Sequence, residues 1–345
     1  MKRHVHRAVA FLLAALASNA ARSAEPGGAS LRALWRMPPR CTPLAPPRIK
    51  DLKEELRRTG YRLVMAIHPK PKDPKPKDPK AKNPKAKNPA RDLYLVNADG
   101  TGLKRLTHTP DKEERVPRTS PNGKWFTYNY GDFLVDVRTL KTRKHWGGYV
   151  WAPDSKRTVH CGKRGIVYTD IETNKNSKPI GVPRRVGIAD MSFDGKWVIF
   201  EIRKYLGSRY SIDFMSSAGG EIHKMPNHPK GGGECHPGFS PDGKWMCWNS
   251  GGSLSVRRFD ASLPGGTEGK IHTLPKELLG QDPCGRWSHC GRYIAYVKIP
   301  HGGSWRVHSP LCIVRIADGA TVTISPPDWL GHHWDYDWLP PAEGK

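Results

Sequence analysis

No apolar run in this chain is long enough to cross a membrane as a helix, which takes about 20 residues. The longest, Ala8 to Ala17, has ten residues and follows the basic start Met1-Lys2-Arg3-His4-Val5-His6-Arg7. With Ser18-Asn19-Ala20 behind it, this is the pattern of a secretory signal. Cleavage is expected after Ala20; the rival, Ala24, would put Arg22 where a small residue is wanted. The mature chain is therefore expected in the periplasm or outside the cell, with no transmembrane segment. Paired cysteine motifs are missing too. The seven cysteines (41, 161, 235, 247, 284, 290 and 312) contain neither Cys-x-x-Cys nor Cys-x-x-Cys-His, so no zinc or haem signature is present and no cofactor is expected. In an oxidising compartment an odd number leaves at least one thiol without an intramolecular partner. Small buried hydrophobes, with one or two optional bridges, is the reading they favour.

Acidic residues are scarce: 57 Lys and Arg stand against 32 Asp and Glu, a net charge of +25. The signal holds +3 of it and residues 69–91 hold +7, so +15 is spread over the rest. Such a surface attracts polyanions. Export makes nucleic acid the poorest fit, leaving an envelope protein, an acidic polysaccharide or an anionic surface as partner. Helical periodicity is nearly absent as well. In the Pro-, Arg- and Ala-rich lead-in 21–60, only Asp51 to Arg58 has leucines at i and i+4, with Gly60 as the stop. A strand, Tyr61 to Ile67, precedes a Lys/Pro-rich arm running to Pro89. Dense proline with repelling lysines makes that arm an extended, solvated spacer.

What the chain does have, from Asp92 onward, is repetition. An aromatic or apolar residue, a serine, a turn and a basic-aromatic restart recur as Thr119-Ser120-Pro121-Asn122-Gly123-Lys124-Trp125, Trp151-Ala152-Pro153-Asp154-Ser155-Lys156-Arg157 and Met191-Ser192-Phe193-Asp194-Gly195-Lys196-Trp197. Two more copies are Phe239-Ser240-Pro241-Asp242-Gly243-Lys244-Trp245 and the eroded Trp287-Ser288-His289-Cys290-Gly291-Arg292-Tyr293, at spacings of 32, 40, 48 and 48. Proline at the second turn position and glycine where φ must be positive close a hairpin. Alternating strands follow, such as Trp125 to Tyr128, Phe133 to Val137, Tyr293 to Tyr296 and Leu311 to Ile316. About four strands in 40–50 residues make one propeller blade.

On these residues the chain resembles the TolB-like, WD-like repeat family. Leu93 to Thr107 looks like the end of such a repeat, and Phe239-Ser240-Pro241-Asp242-Gly243-Lys244-Trp245 like its beginning. The resemblance implies an all-β, six-bladed propeller over residues 61–340, in bacterial envelope proteins that usually act by binding protein. It departs from TolB at the N-terminus, where about 40 residues separate the signal from the first strand and no TolB-type N-terminal domain is expected.

Five anchors start five blades. The unopened strands Tyr61–Ile67, Leu93–Val96 and Lys104–Leu106 and the orphan opening strand His332 to Pro340 then complete a sixth, with the arm 69–91 as a loop inside it. Closure removes exposed sheet edges. Opening strands should line the channel. Because strands alternate faces, the positions two, four and six before each anchor serine should share the channel side: Glu114, Arg118, Asp190, Glu234, His236, Asp282, Arg286, His333, Asp335 and Asp337. Buried charges are paired or solvated, so these residues make either inter-blade salt bridges or a binding funnel.

Three sharper readings compete with plain binding. His236, His332 and His333 could ligate a metal, since His236-Pro237-Gly238-Phe239-Ser240-Pro241-Asp242-Gly243 superficially resembles oligogalacturonate lyases of the propeller type. Adjacent histidines, however, point to opposite strand faces, and no metal is expected. Gly238-Phe239-Ser240-Pro241-Asp242 lacks the last glycine of a serine-hydrolase elbow, and no room for a hydrolase domain is apparent. The Asp-Gly turns at 99, 242 and 318 lack the ligand ladder of a calcium loop. The expectation is a non-catalytic, monomeric binding propeller that docks its partner at a channel mouth, with a metal-dependent polysaccharide lyase as the alternative.

Overall fold

The computed structural model describes residues 51–67, 90–109, 112–162, 164–181, 186–203, 210–225, 234–250, 253–260, 262, 267–273, 285–298, 310–325 and 335–341. The signal, most of the lead-in, nearly all of the Lys/Pro arm, Cys41, Cys284, Asp282, His332 and His333 lie outside these residues. Among the described residues there is one α-helix, α1 (Leu52–Thr59). Asp51 caps it by accepting from Lys53 N, and Gly60, at φ 68°, donates its N–H back to the Arg57 carbonyl. Both are the end chemistry that residues 51–60 foreshadow. No helix among them is long and apolar enough to cross a membrane.

The rest is antiparallel sheet in six blades. The closing blade begins the chain, with β1 (Arg62–Ile67), β2 (Asp92–Asn97) and β3 (Lys104–Arg105). Blade 1 is β4 (Arg118–Thr119), β5 (Trp125–Tyr128), β6 (Phe133–Asp136) and β7 (Thr142–Lys144). Blade 2 is β8 (Val150–Trp151), β9 (Arg157–Gly162) and β10 (Gly165–Asp170), with bridges from Asn176 and Ile180 in place of a fourth strand. Blade 3 holds β11 (Val186–Met191), β12 (Trp197–Arg203), β13 (Tyr210–Ser216) and β14 (Ile222–Lys224). Blade 4 holds β15 (Glu234–Phe239), β16 (Trp245–Ser250), β17 (Ser253–Phe259) and β18 (Thr267–Thr273). Blade 5 holds β19 (Arg286–Trp287), β20 (Tyr293–Val297), β21 (Leu311–Arg315) and β22 (Thr321–Thr323). The last strand, β23 (Tyr336–Leu339), returns to the first sheet, whose order is β23-β1-β2-β3. Leu63 pairs with Trp338 and Val64 with Asp337, so the sixth blade is shared by the two ends of the chain. The opening strands neighbour one another as a ring: β4, β8, β11, β15, β19, β23 and back to β4.

The repeated serine closes the turn in blades 1, 3, 4 and 5. In blade 1, Ser120 Oγ accepts from Trp125 N at 3.0 Å and donates to Asn122 Oδ1 at 2.7 Å, while Gly123, at φ 67°, donates its N–H to the Ser120 carbonyl. Ser192 with Asp194, and Ser240 with Asp242, repeat the arrangement. The aspartate of Ser-x-Asp-Gly is thus a turn lock: its oxygen also accepts the N–H of the following lysine. One position before the anchor, the large side chains of Trp151, Met191, Phe239, Trp287 and Trp338 are buried. Helix α1 packs Leu52 and Leu56 on the cluster of Leu63, Tyr293, Ile313 and Trp338. Its Glu55 accepts from the Tyr293 hydroxyl and the Arg315 guanidinium. Cys161, Cys247, Cys290 and Cys312 are free thiols, and burial pushes the Cys247 thiol up to about 12.

Candidate functional site

The turn joining the first and second strands is described in each of blades 1 to 5, and these turns gather at one channel mouth. A cavity of about 210 Å³ sits there. Its rim carries the second residue of each of these five turns: Pro121, Pro153, Phe193, Pro241 and His289. Beneath the rim lie the residues before the serines (Thr119, Trp151, Met191, Phe239 and Trp287), and deeper come Arg118, Val150, Asp190, Gly238, Arg286 and Asp337. These last six are equivalent positions, one per blade, two residues before the anchor.

The charged members of this layer also bind blade to blade. Asp190 accepts the Phe239 N–H of the next blade and the Met191 N–H of its own, both at 2.8 Å. Asp337 does the same with Thr119 N at 2.8 Å and Trp338 N at 2.9 Å. Where the position is arginine, the next blade's indole donates to its carbonyl: Trp151 Nε1 to Arg118 O at 3.0 Å, and Trp338 Nε1 to Arg286 O at 2.8 Å. Arg118 directs Nη1 to the Pro117 and Tyr336 carbonyls and lies 6.0 Å from the centre of the Tyr149 ring. Burial, and then the nearby Arg286, lower the Arg118 guanidinium to about 10, where it remains charged at neutral pH. Burial raises Asp190 to about 6, although two N–H donors and Arg286 pull the other way. Burial also holds the His289 imidazole below the usual histidine range.

The structure brings together Arg118, Asp190, Arg286 and Asp337 from the sequence-predicted set. It does not place Glu114, Asp335 or His236 with them in this cavity. Asp335 pairs with Arg91 and accepts the Val116 N–H at 2.9 Å. Glu114 accepts from Leu93 N, Thr107 and Thr109 at the root of the closing blade. The reason is local: Val116 has φ 49° and β4 spans only two residues, so extended alternation stops before Glu114. His236 has φ 55° inside a bulge between Cys235 and Gly238, and its N–H donates to Glu201. A bulge redirects every side chain beyond it. Glu234 pairs with Ser250 through the backbone, and its side chain lies outside the described residues, as do Asp282 and His333. The cavity also contains Tyr149, Phe193 and His289, which the alternation of opening strands does not reach. The rim residues could have been found by taking the second position of each turn as a ring of its own.

The class so defined is a six-bladed β-propeller with a polar channel, TolB-like in its fold. No known protein-family profile matches the chain. The solved structure of TolB from Acinetobacter baumannii superposes with a TM-score of 0.57 at 17% identity, over 82% of this chain and 67% of that one. A putative TolB from Agrobacterium tumefaciens gives 0.52 at 16% identity, over 71% and 95% of the two chains. Among curated proteins, dipeptidyl-peptidase 5 of Porphyromonas gingivalis is 24% identical over 289 residues, 74% of this chain. The chain spans only 40% of that relative's length.

Proposed function

We propose that this chain is an extracytoplasmic, non-catalytic binding propeller that docks a protein partner at the channel mouth formed by the first-to-second-strand turns. One observation carries the reading: at the rim position that is proline in three other blades, blade 3 presents Phe193 with 56% of its surface exposed, over a cavity with a charged floor. An exposed aromatic beside a concave, partly polar pocket is the usual form of an interface anchor. The signal-like N-terminus and the net charge of +25 favour an exported protein with an acidic partner. The test is capture from the native envelope with the full chain, with Phe193→Asp, and with a deletion of residues 69–89. A partner retained by the first and lost by the second supports docking at this mouth. Capture indifferent to Phe193, or hydrolysis or β-elimination of a peptide or uronate substrate by the purified chain, overturns it.

A further inference from the structure

A second cavity, of about 430 Å³, lies at the edge of the closing blade, between the end of α1, the start of β1 and the β2–β3 turn. It is on the same face as the channel mouth, because Arg62 pairs with both Asn97 and Leu339. Three guanidiniums line it: Arg57 and Arg58 from the last helical turn and Arg62 from the strand. The nearby carboxylates are already engaged. Glu54 takes Arg57 at 2.7 Å and Arg58 at 3.0 Å, and Asp99 takes Arg57 Nε at 3.0 Å and both donors of Thr101. Three cations against two anions leave one positive charge, and it falls on Arg62. Among the described residues, Arg62 Nε is buried and meets no hydrogen-bond partner. A buried donor left unpaired is costly, so the site is poised for an acceptor. Burial lowers the Arg62 guanidinium, and no carboxylate among the described residues is paired with it.

The other polar lining fits an oxyanion. Asn97 Nδ2 donates one hydrogen to Thr101 Oγ1 at 3.1 Å, and an amide nitrogen carries a second. The C-terminal end of α1 opposes an anion here, an effect that the three guanidiniums must outweigh; the Arg57 and Leu56 carbonyls already accept from Gly60 N and Thr59 Oγ1. Donors thus reach the cavity from a helix, a strand and a turn. That spread suits a tetrahedral anion with several acceptor oxygens better than a planar carboxylate held by one arginine fork.

We propose that this cavity binds a phosphoryl oxyanion, carried either by a free phosphorylated molecule or by a lipid headgroup. The full chain, with its arginine side chains labelled for NMR, is titrated with inorganic phosphate at constant ionic strength. The Arg62 Nε–H resonance should shift saturably while that of Arg286 stays still. Arg62→Gln should weaken binding, read from the neighbouring Asn97 amide, by about tenfold, the loss expected of one charge-assisted hydrogen bond, and Arg62→Lys should restore part of it. Co-sedimentation with phosphatidylglycerol vesicles, but not with phosphatidylcholine alone, assigns the source to a membrane; phosphate binding without it assigns a free ligand. An unmoved Arg62 resonance, an equal response to chloride or acetate, or undiminished binding by Arg62→Gln overturns the proposal. Because the wild-type resonance is read directly, misfolding of a variant leaves the test intact.

Discussion

At one end of the channel, Asp190 and Asp337 give both carboxylate oxygens to backbone N–H groups, one of them on the next blade. Toward the other end, Asp335 gives one oxygen to the Val116 N–H and one to the Arg91 guanidinium, which Glu113 grips from the far side. The first pair leaves a cavity open above it. The second is a sealed ion pair, with Arg91 4% and Asp335 1% exposed. The same residue type therefore pins two blades beside a cavity when it stands two positions before the anchor, and closes the ring when it stands four before it. What differs is the cationic partner.

That contrast can be broken in order of expected effect. Asp335→Ala leaves Arg91 buried with half its partners and should cost about 3–5 kcal/mol, measured as a shift in the urea midpoint at unchanged slope. Asp190→Ala strands two backbone donors and should cost less, about 1–3 kcal/mol, because Asp190 has no direct ion pair of the Arg91–Asp335 kind. If the two losses are equal, the distinction between pin and ion pair fails. Asp190 also makes a pH prediction. Its folded pKa of about 6 lies above the ordinary carboxylate value, so the native state binds more protons in that window and this residue favours folding increasingly as pH falls from 7 toward 4. The difference in stability between wild type and Asp190→Asn should therefore grow on acidification across that range. Trp151→Phe and Trp338→Phe each remove one indole-to-carbonyl bond between blades, and should cost about 1 kcal/mol apiece and nearly the same amount. Phe193→Asp, at an exposed rim, should stay within about 0.5 kcal/mol of wild type while abolishing partner capture.

The blade count and the seam were legible because turn chemistry recurs: Ser-x-Asp-Gly, Asn122-Gly123 and even Ser288-His289-Cys290-Gly291 mark hairpins on local grounds. The shared blade followed from orphan strands at the two ends. Four channel charges were legible because the position two before the serine lies within hydrogen-bonded strand in every blade. The positions four and six before it were not. There the backbone of Val116 and His236 turns left-handed, a conformation that nothing in a β-branched valine announces. Tyr149 escaped because it enters from the link between blades rather than from an opening strand, and the lock formed by Asn122, Asp194 and Asp242 looked like ordinary turn composition.

The sixth blade has a consequence for how the molecule comes into being. Its sheet pairs Leu63 with Trp338, so the earliest strand of the ring waits with one edge unsatisfied until residues 336–339 have been made. Five blades can form in the order of synthesis; the last step is a long-range closure, and pairings so distant in sequence are slow. During that wait β1, a strand with nearly every side chain destined for burial, is the segment most exposed to mispairing and to capture by a chaperone. Loss of the four residues of β23 would make that interval permanent.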